Sequence, residues 1–275
     1  MGERDGLQPA EDVHQANWIL DRLVGFGQGV FSLVPNGFPA YVRLFHPAYQ
    51  DGGGPNERRL LWAEVADRVG TTMHALAQFG PLSAIARDNW DPMCPQAGNL
   101  EPDLLGALCD ILELHTATPE RCWFCLWDGY GWLRPGSAAV ATFTWVGQAP
   151  PPSPPPPPPP PPPAPPAIFR PRSLVHLPNR EYLLFSGPVG AAIEIADQAS
   201  RTSRMEPQSP NLFWSDDHAW CVATEIDLDS TYIACSEQAA AALLAEPRLE
   251  TWPVHASDAI AYDSDRINPM PDKGS

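Results

Sequence analysis

Apolar residues recur along this chain at two spacings, one helical and one alternating, and the switches between them mark out its elements. From residue 11 to 24, Val13, Ile19, Leu20, Leu23 and Val24 make an imperfect helical stripe beside Trp18, which predicts a helix. "VFSLVPNGFPAYVRLFH" then sets Pro35, Asn36 and Gly37 between two apolar runs and predicts a hairpin. Beyond the loop "QDGGGPN", Leu61, Trp62, Val65 and Val69 fit a helix of about ten residues in "ERRLLWAEVADRV". The clearest helix is "NLEPDLLGALCDILELH". Leu104, Leu105, Leu108, Ile111 and Leu112 share one face, Asn99 is the expected N-cap, Glu101 and Asp103 sit at the positive end of the dipole, and His115 closes the last turn. Strands follow in "RCWFCLWDGYGW" and "AAVATFTWV". Later, "SLVHLPNREYLLFSG" predicts a second hairpin, "PVGAAIEIADQ" a short helix opened by Pro188, and "HAWCVATEI" and "STYIAC" two strands. "SEQAAAALLAE" is a helix capped by Ser236, and "LETWPV" a last strand.

Between the two sides runs "APPPSPPPPPPPPPPAPPA", unbroken from Pro154 to Pro163. Proline lacks an amide donor and has a fixed φ, so the run is an extended rod of roughly 50 Å at ~3.1 Å per residue and stays out of any core. A spacer or surface insertion is the favoured reading, since only Arg170 and Arg172 flank it for an SH3- or WW-type partner. The divisions are a flexible start (1–9), one half of the unit (10–148), the proline segment (149–167), the other half (168–262) and a flexible tail (263–275). "VPNGFPAYVRLFHP" and "LPNREYLLFSGP" are alike in outline, and each precedes a helix and a Trp/Cys strand, which raises the reading of two similar half-units sharing one sheet. The expected class is α+β: a mainly antiparallel sheet with helices packed on it and a polyproline insertion.

Composition narrows function mostly by exclusion. With 17 basic against 33 acidic residues, a formal charge of −16 repels phosphate backbones and anionic lipids, and the basic residues come at most in pairs, as at Arg58 and Arg59. Neither a nucleic-acid nor a membrane partner is expected. The N-terminal stretch lacks a secretory pattern and no window approaches the ~18 apolar residues of a membrane span, which predicts a cytoplasmic protein. The six cysteines are scattered and predict reduced, mostly buried thiols.

Candidate chemistry is sparse. Cys122 and Cys125 form a CxxC, but within a strand their side chains point to opposite faces, so a structural role is expected. The glycine-rich "GFGQG" and "DGGGP" lack the rest of a phosphate-binding motif and are turns. "LWDGYGWLRPG" crowds Trp127, Tyr130 and Trp132 around a turn at Asp128, which makes these four residues, together with Asp216 and Asp217, the candidate binding set. In "TEIDLDST", Glu225, Asp227 and Asp229 fall on every second position. If extended, they form a comb whose neighbours, about 7 Å apart, repel by only ~0.6 kcal/mol in water. That comb is a solvated face, a surface for a basic partner, or, if a turn gathers it, a set of hard oxygen ligands for a divalent cation.

"YVRLFHPA", "LEPDLLGALCDILELHTATPERCWFCLWDGYGW", "REYLLFSGP" and "SPNLFWSDDHAWCVATEIDLDSTYI" together resemble a family of actinomycete proteins of unknown function, over most of the chain outside the prolines. The resemblance implies a variable surface insertion at the proline segment and no particular activity. A looser likeness is to small acidic α+β immunity proteins of the SUKH type. The expectation is therefore a non-enzymatic binding protein without an organic cofactor, immunity-like or regulatory, whose acidic face meets a basic protein. The alternatives are a metal-assisted, hydrolase-like enzyme with Glu225, Asp227 and Asp229 as ligands and His218 and Asp227 as catalytic groups, and a scaffold that displays the polyproline rod.

Overall fold

A computed structural model describes residues 6–50, 58–84, 90, 92–133, 166–170, 172–203 and 208–268. Its centre is a nine-stranded sheet in which every neighbouring pair is antiparallel. The strands are β1 (Gln8–Pro9), β2 (Ala40–Phe45), β5 (Cys122–Trp127), β6 (Leu174–Leu177), β7 (Arg180–Gly187), β8 (Leu212–Ser215), β9 (Cys221–Ala223), β10 (Ser230–Cys235) and β11 (Thr251–Val254). The order is β1-β7-β5-β8-β9-β10-β2-β11, with β6 beside β7 as well. A separate pair joins β3 (Ala48–Gln50) to β4 (Arg58–Leu60). The helices are α1 (Asn17–Leu20), α2 (Trp62–Val69), α3 (Phe79–Ser83), α4 (Pro102–Glu113), α5 (Ala191–Ser203) and α6 (Glu237–Ala245). The fold is α+β, as the pattern predicts, and no helix among the described residues is long and apolar enough to cross a membrane.

Strands from the two sides of the proline run interleave. β5 lies between β7 and β8, and β2 between β10 and β11. Because each step is antiparallel, β7 runs parallel to β8 and β10 to β11, and α5 and α6 make the two crossovers. The two sides thus build one sheet.

Side chains alternate across that sheet, and both faces are apolar. Phe124, Leu183, Phe185, Phe213 and Ile233 point to the face covered by α4, α5 and α6. Cys125, Tyr182, Leu184, Leu212 and Tyr232 point to the other. Cys122 and Cys125 fall on opposite faces as expected, and burial pushes both thiols well up, so neither is a ready thiolate. The second face is covered differently, by irregular chain from residues 10–34 and 254–260.

That cover is where the local predictions fail most. In place of a helix over 11–24 there is a 3-10 turn, Val13–Ala16, opened by Asp12 and followed by the single turn α1. The stripe is too imperfect to bury a helical face: Ile19 is buried, but Leu20 and Val24 stay exposed. The first arm of the expected hairpin at 30–46 is a 3-10 turn, Val30–Ser32, while the second arm, β2, finds its partners β10 and β11 far along the chain. Arg58–Leu60 is strand rather than helix, so α2 begins at Trp62, where Glu250 accepts from the amides of Trp62 (2.6 Å) and Ala63 (2.8 Å). The N-cap of α4 is Glu101, with Pro102 next, and Asn99 instead accepts from the Ser209 amide at 2.7 Å. β8, absent from the sequence reading, fills the place beside β5. The expected strand "AAVATFTWV" and residues 149–165 of the proline segment lie outside the described residues. The hairpin at 173–187 and the Ser236 cap of α6 are present, the latter with Ser236 Oγ accepting from the Ala239 amide at 3.2 Å.

Candidate functional site

The tight turn Pro178–Asn179 between β6 and β7, with Asn179 at φ 61, sets Arg180 at the end of the sheet. Arg180 Nε and Nη2 donate to Glu225 Oε1 at 3.0 and 2.5 Å, Nη2 also donates to Asp227 Oδ2 at 2.8 Å, and Nη1 donates to the Asn179 carbonyl. Partial burial works against the arginine's charge, but the hydrogen bond to Glu225 and the charges of Glu225 and Asp227 outweigh it and raise its pKa. Its guanidinium carbon lies 5.8 Å from the Phe26 ring on one side and 5.9 Å from the Trp127 ring on the other. Arg180 is therefore a dividing wall, and a recess opens on each side of it.

The smaller recess holds about 200 Å³ between the loop-covered face of the sheet and its cover. Tyr182, Leu212 and Ala223 come from the sheet, Leu33 and Ile260 from the cover, and Glu225, Asp227 and Arg180 form the polar mouth. Phe26 makes the lip, held between Gly25 and Gly27, both in left-handed conformation. The covering strips are tied to one another, with the amide of Val30 donating to Asp258 O at 3.0 Å and that of Phe31 to Ala256 O at 2.8 Å.

The larger recess, about 700 Å³ and more open, contains Trp127, Asp128, Tyr130, His176 and Glu181, and shares Leu177 and Arg180 with the first. Asn211 braces the ground between them. Its Oδ1 accepts from the Trp127 amide at 2.8 Å, and its Nδ2 donates to Tyr130 Oη at 2.9 Å and to Thr224 O at 3.2 Å. The aromatic residues pack largely on one another. Trp127 meets Tyr130 edge-on, Tyr130 stacks with Trp132, and Trp132 lies edge-on to Phe169. Burial pushes the Tyr130 hydroxyl up to about 12.

The structure divides the candidate binding set. Trp127, Asp128 and Tyr130 line the larger recess, whereas Trp132 turns toward the helix-covered core. Asp216 and Asp217 belong to the opposite end of the sheet, in the turn from β8 to β9. There Asp216 accepts from Trp123 Nε1 at 2.9 Å and pairs with Arg121 at 2.5 Å. Asp217 accepts from Thr116 Oγ1 and the Ala117 amide, both at 2.7 Å, and from the Ala219 amide at 3.2 Å. Partial burial opposes its charge, but the hydroxyls of Ser215 and Thr116 and the two amides outweigh it and hold its pKa down to about 2.

Residues 224–229 are not an extended comb. The Leu228 amide donates to Glu225 O at 3.0 Å, so the segment turns. Glu225 and Asp227 meet Arg180, while Asp229 is directed to buried Arg43 at 3.7 Å and to Ser230. Burial raises the Asp229 pKa against the pull of Arg43. His218 lies beyond the other end of β9 from Asp227, stacked on Trp18 with ring centroids 4.0 Å apart, and burial followed by the charge of Arg22 lowers its pKa. The proposed ligand set and the proposed catalytic pair are thus not assembled. Among the described residues no group of three or more His, Cys, Asp or Glu side chains is placed to hold a metal ion.

Arg180, Tyr182, Asn211 and Phe26 were not singled out by the sequence. The Pro-Asn turn before Arg180 and the glycines around Phe26 were visible as turn signals, but nothing local shows that the two turns face one another. No family model, no curated protein and no solved structure matches the chain.

Proposed function

We propose that this is a non-enzymatic binding protein, immunity-like or regulatory in role, that holds a basic segment of a protein partner along the cleft divided by Arg180. The observation that carries the reading is local charge: three carboxylates, Glu181, Glu225 and Asp227, line the two recesses, and among the described residues of the lining Arg180 is the one guanidinium set against them. A cationic segment is drawn to such a cleft, and the net charge of −16 adds attraction at longer range. The ionisable groups of the lining are engaged with one another, Arg180 with Glu225 and Asp227, and His176 with Glu181, which suits recognition better than proton transfer.

The test is fluorescence anisotropy of labelled extended peptides, one carrying several arginines and one its charge-reversed counterpart. The expected result is binding of the cationic peptide alone, weakened by salt, weakened further by Glu225→Gln/Asp227→Asn, and unaffected by Asp110→Asn/Glu113→Gln on the exposed side of α4. Equal loss in both double variants would show that bulk charge, and not the cleft, attracts the peptide.

A further inference from the structure

We infer that the smaller recess anchors one large apolar side chain of the partner, with an arginine or lysine next to it in the partner's sequence lying against Glu225 and Asp227. This rests on the binding reading above and specifies how the basic segment is seated.

Size is the first observation. A recess of about 200 Å³ is below the ~300 Å³ at which pockets for whole organic ligands begin, and it suits a single side chain. Its depth is apolar, formed by Leu33, Leu212, Ala223 and Ile260.

The second observation is which polar atoms are free at the mouth. Arg180 has already committed its Nε and Nη2 donors to Glu225 and Asp227 and one Nη1 donor to Asn179. Glu225 Oε2 and Asp227 Oδ1 have no donor among the described residues, and Asp227 is 74% exposed. The hydroxyl of Tyr182, a residue only 6% exposed, likewise has no hydrogen-bond partner among the described residues, and it lines the recess. The mouth therefore offers more acceptors than donors, and the group that completes it is a donor and a cation.

The surroundings decide between a side chain and a free amine. Phe26, 49% exposed, stands at the lip, and the larger recess continues beyond the shared wall of Leu177 and Arg180. A guest that fills this surface extends past the first recess in the way a polypeptide does.

The experiment uses the full chain and two peptides of equal positive charge, one with leucine between arginines and one with alanine in its place. Burying the larger side chain should make the leucine peptide bind about tenfold more tightly. That advantage should vanish in Ala223→Phe, which fills the recess, while binding of the alanine peptide persists. Leu33→Trp, on the cover, serves if thermal melting shows Ala223→Phe to be unfolded. Equal binding of the two peptides to the wild type would overturn the anchor and leave the cleft reading standing. Failure of both to bind would remove both readings. Leucinamide binding as tightly as the leucine peptide would assign the recess to a small amine and overturn the inference.

Discussion

Asp217 and Glu225 lie in turns at opposite ends of strand β9, yet they stand in opposite relations to the rest of the molecule. Asp217 accepts from the Thr116 and Ser215 hydroxyls and two amides, with both of its oxygens engaged, and serves to close a turn against residues 116–118. Glu225 spends one oxygen on Arg180 and keeps the other free of donors among the described residues. Both count equally toward a net charge of −16, but only Glu225 keeps an oxygen without a donor among the described residues. The lesson is that acidity alone locates nothing. What distinguishes a binding carboxylate from a structural one is whether its lone pairs are already occupied.

The largest expected effect isolates the cleft end. Gly98 has φ +70, and a Cβ there would lie 2.6 Å from the backbone of Ile226, within the turn that carries Glu225 and Asp227. Its amide also donates to Leu228 O at 2.9 Å. Neither neighbour is a flexible side chain, so Gly98→Ala must push the turn away. A loss of about 4 kcal/mol in denaturant unfolding is expected, from strain plus backbone collision. Any folded fraction should bind cationic peptide poorly. A loss under about 1 kcal/mol would mean that the turn is free to move and that the cleft is less pre-formed than its hydrogen bonds indicate.

The next effect tests the ground beneath the same turn. His46 is fully buried, with Nδ1 at 2.7 Å from Gln96 O and Nε2 at 2.9 Å from Thr231 Oγ1, which in turn meets Thr224 Oγ1 at 2.8 Å. Burial, reinforced by the charge of Arg43 and opposed by the bond to Gln96, lowers its pKa from 6.5 to about 4. Between those values the unfolded chain binds a proton that the folded protein refuses, so stability falls as pH drops from 6.5 to about 4. The loss is about 3 kcal/mol, most of it accrued by pH 4, and His46→Asn should flatten the slope in a pH series of denaturant unfolding.

How much of this was legible in the sequence follows from the range of the interactions. α4, α6, the β6–β7 hairpin and the α+β class depend on local periodicity and capping, and the pattern contains them. The cover over the second face does not: Val30 and Phe31 are held by bonds to 258 and 256, Val24 by a bond to Phe31, and β2 by pairing with β10 and β11. The comb was misread for the same reason. Alternation suggests a strand, but the segment turns, held by the Leu228 amide on Glu225 O and the Gly98 amide on Leu228 O, and its three carboxylates reach two different arginines. Trp127, Asp128 and Tyr130 can be grouped from the sequence because a turn keeps them together, and Arg180 cannot be joined to Glu225 and Asp227 because they lie 45 and 47 residues away.

The smallest expected effect on stability is the sharpest test of the comparison. Asp217→Asn removes a carboxylate whose pKa of about 2 lies below its ordinary 3.8. After allowance for its exposure to solvent, the cost is about 1 kcal/mol, fully present above pH 4 and lost as pH falls toward 2. Asp227→Asn removes an exposed member of an ion pair and should change stability by less than about 0.5 kcal/mol. For peptide binding the order reverses, because Asp217 has no place in the cleft and Asp227 forms its mouth. If instead both variants moved stability and binding in parallel, the two ends of β9 would not be functionally distinct, and binding would follow total charge.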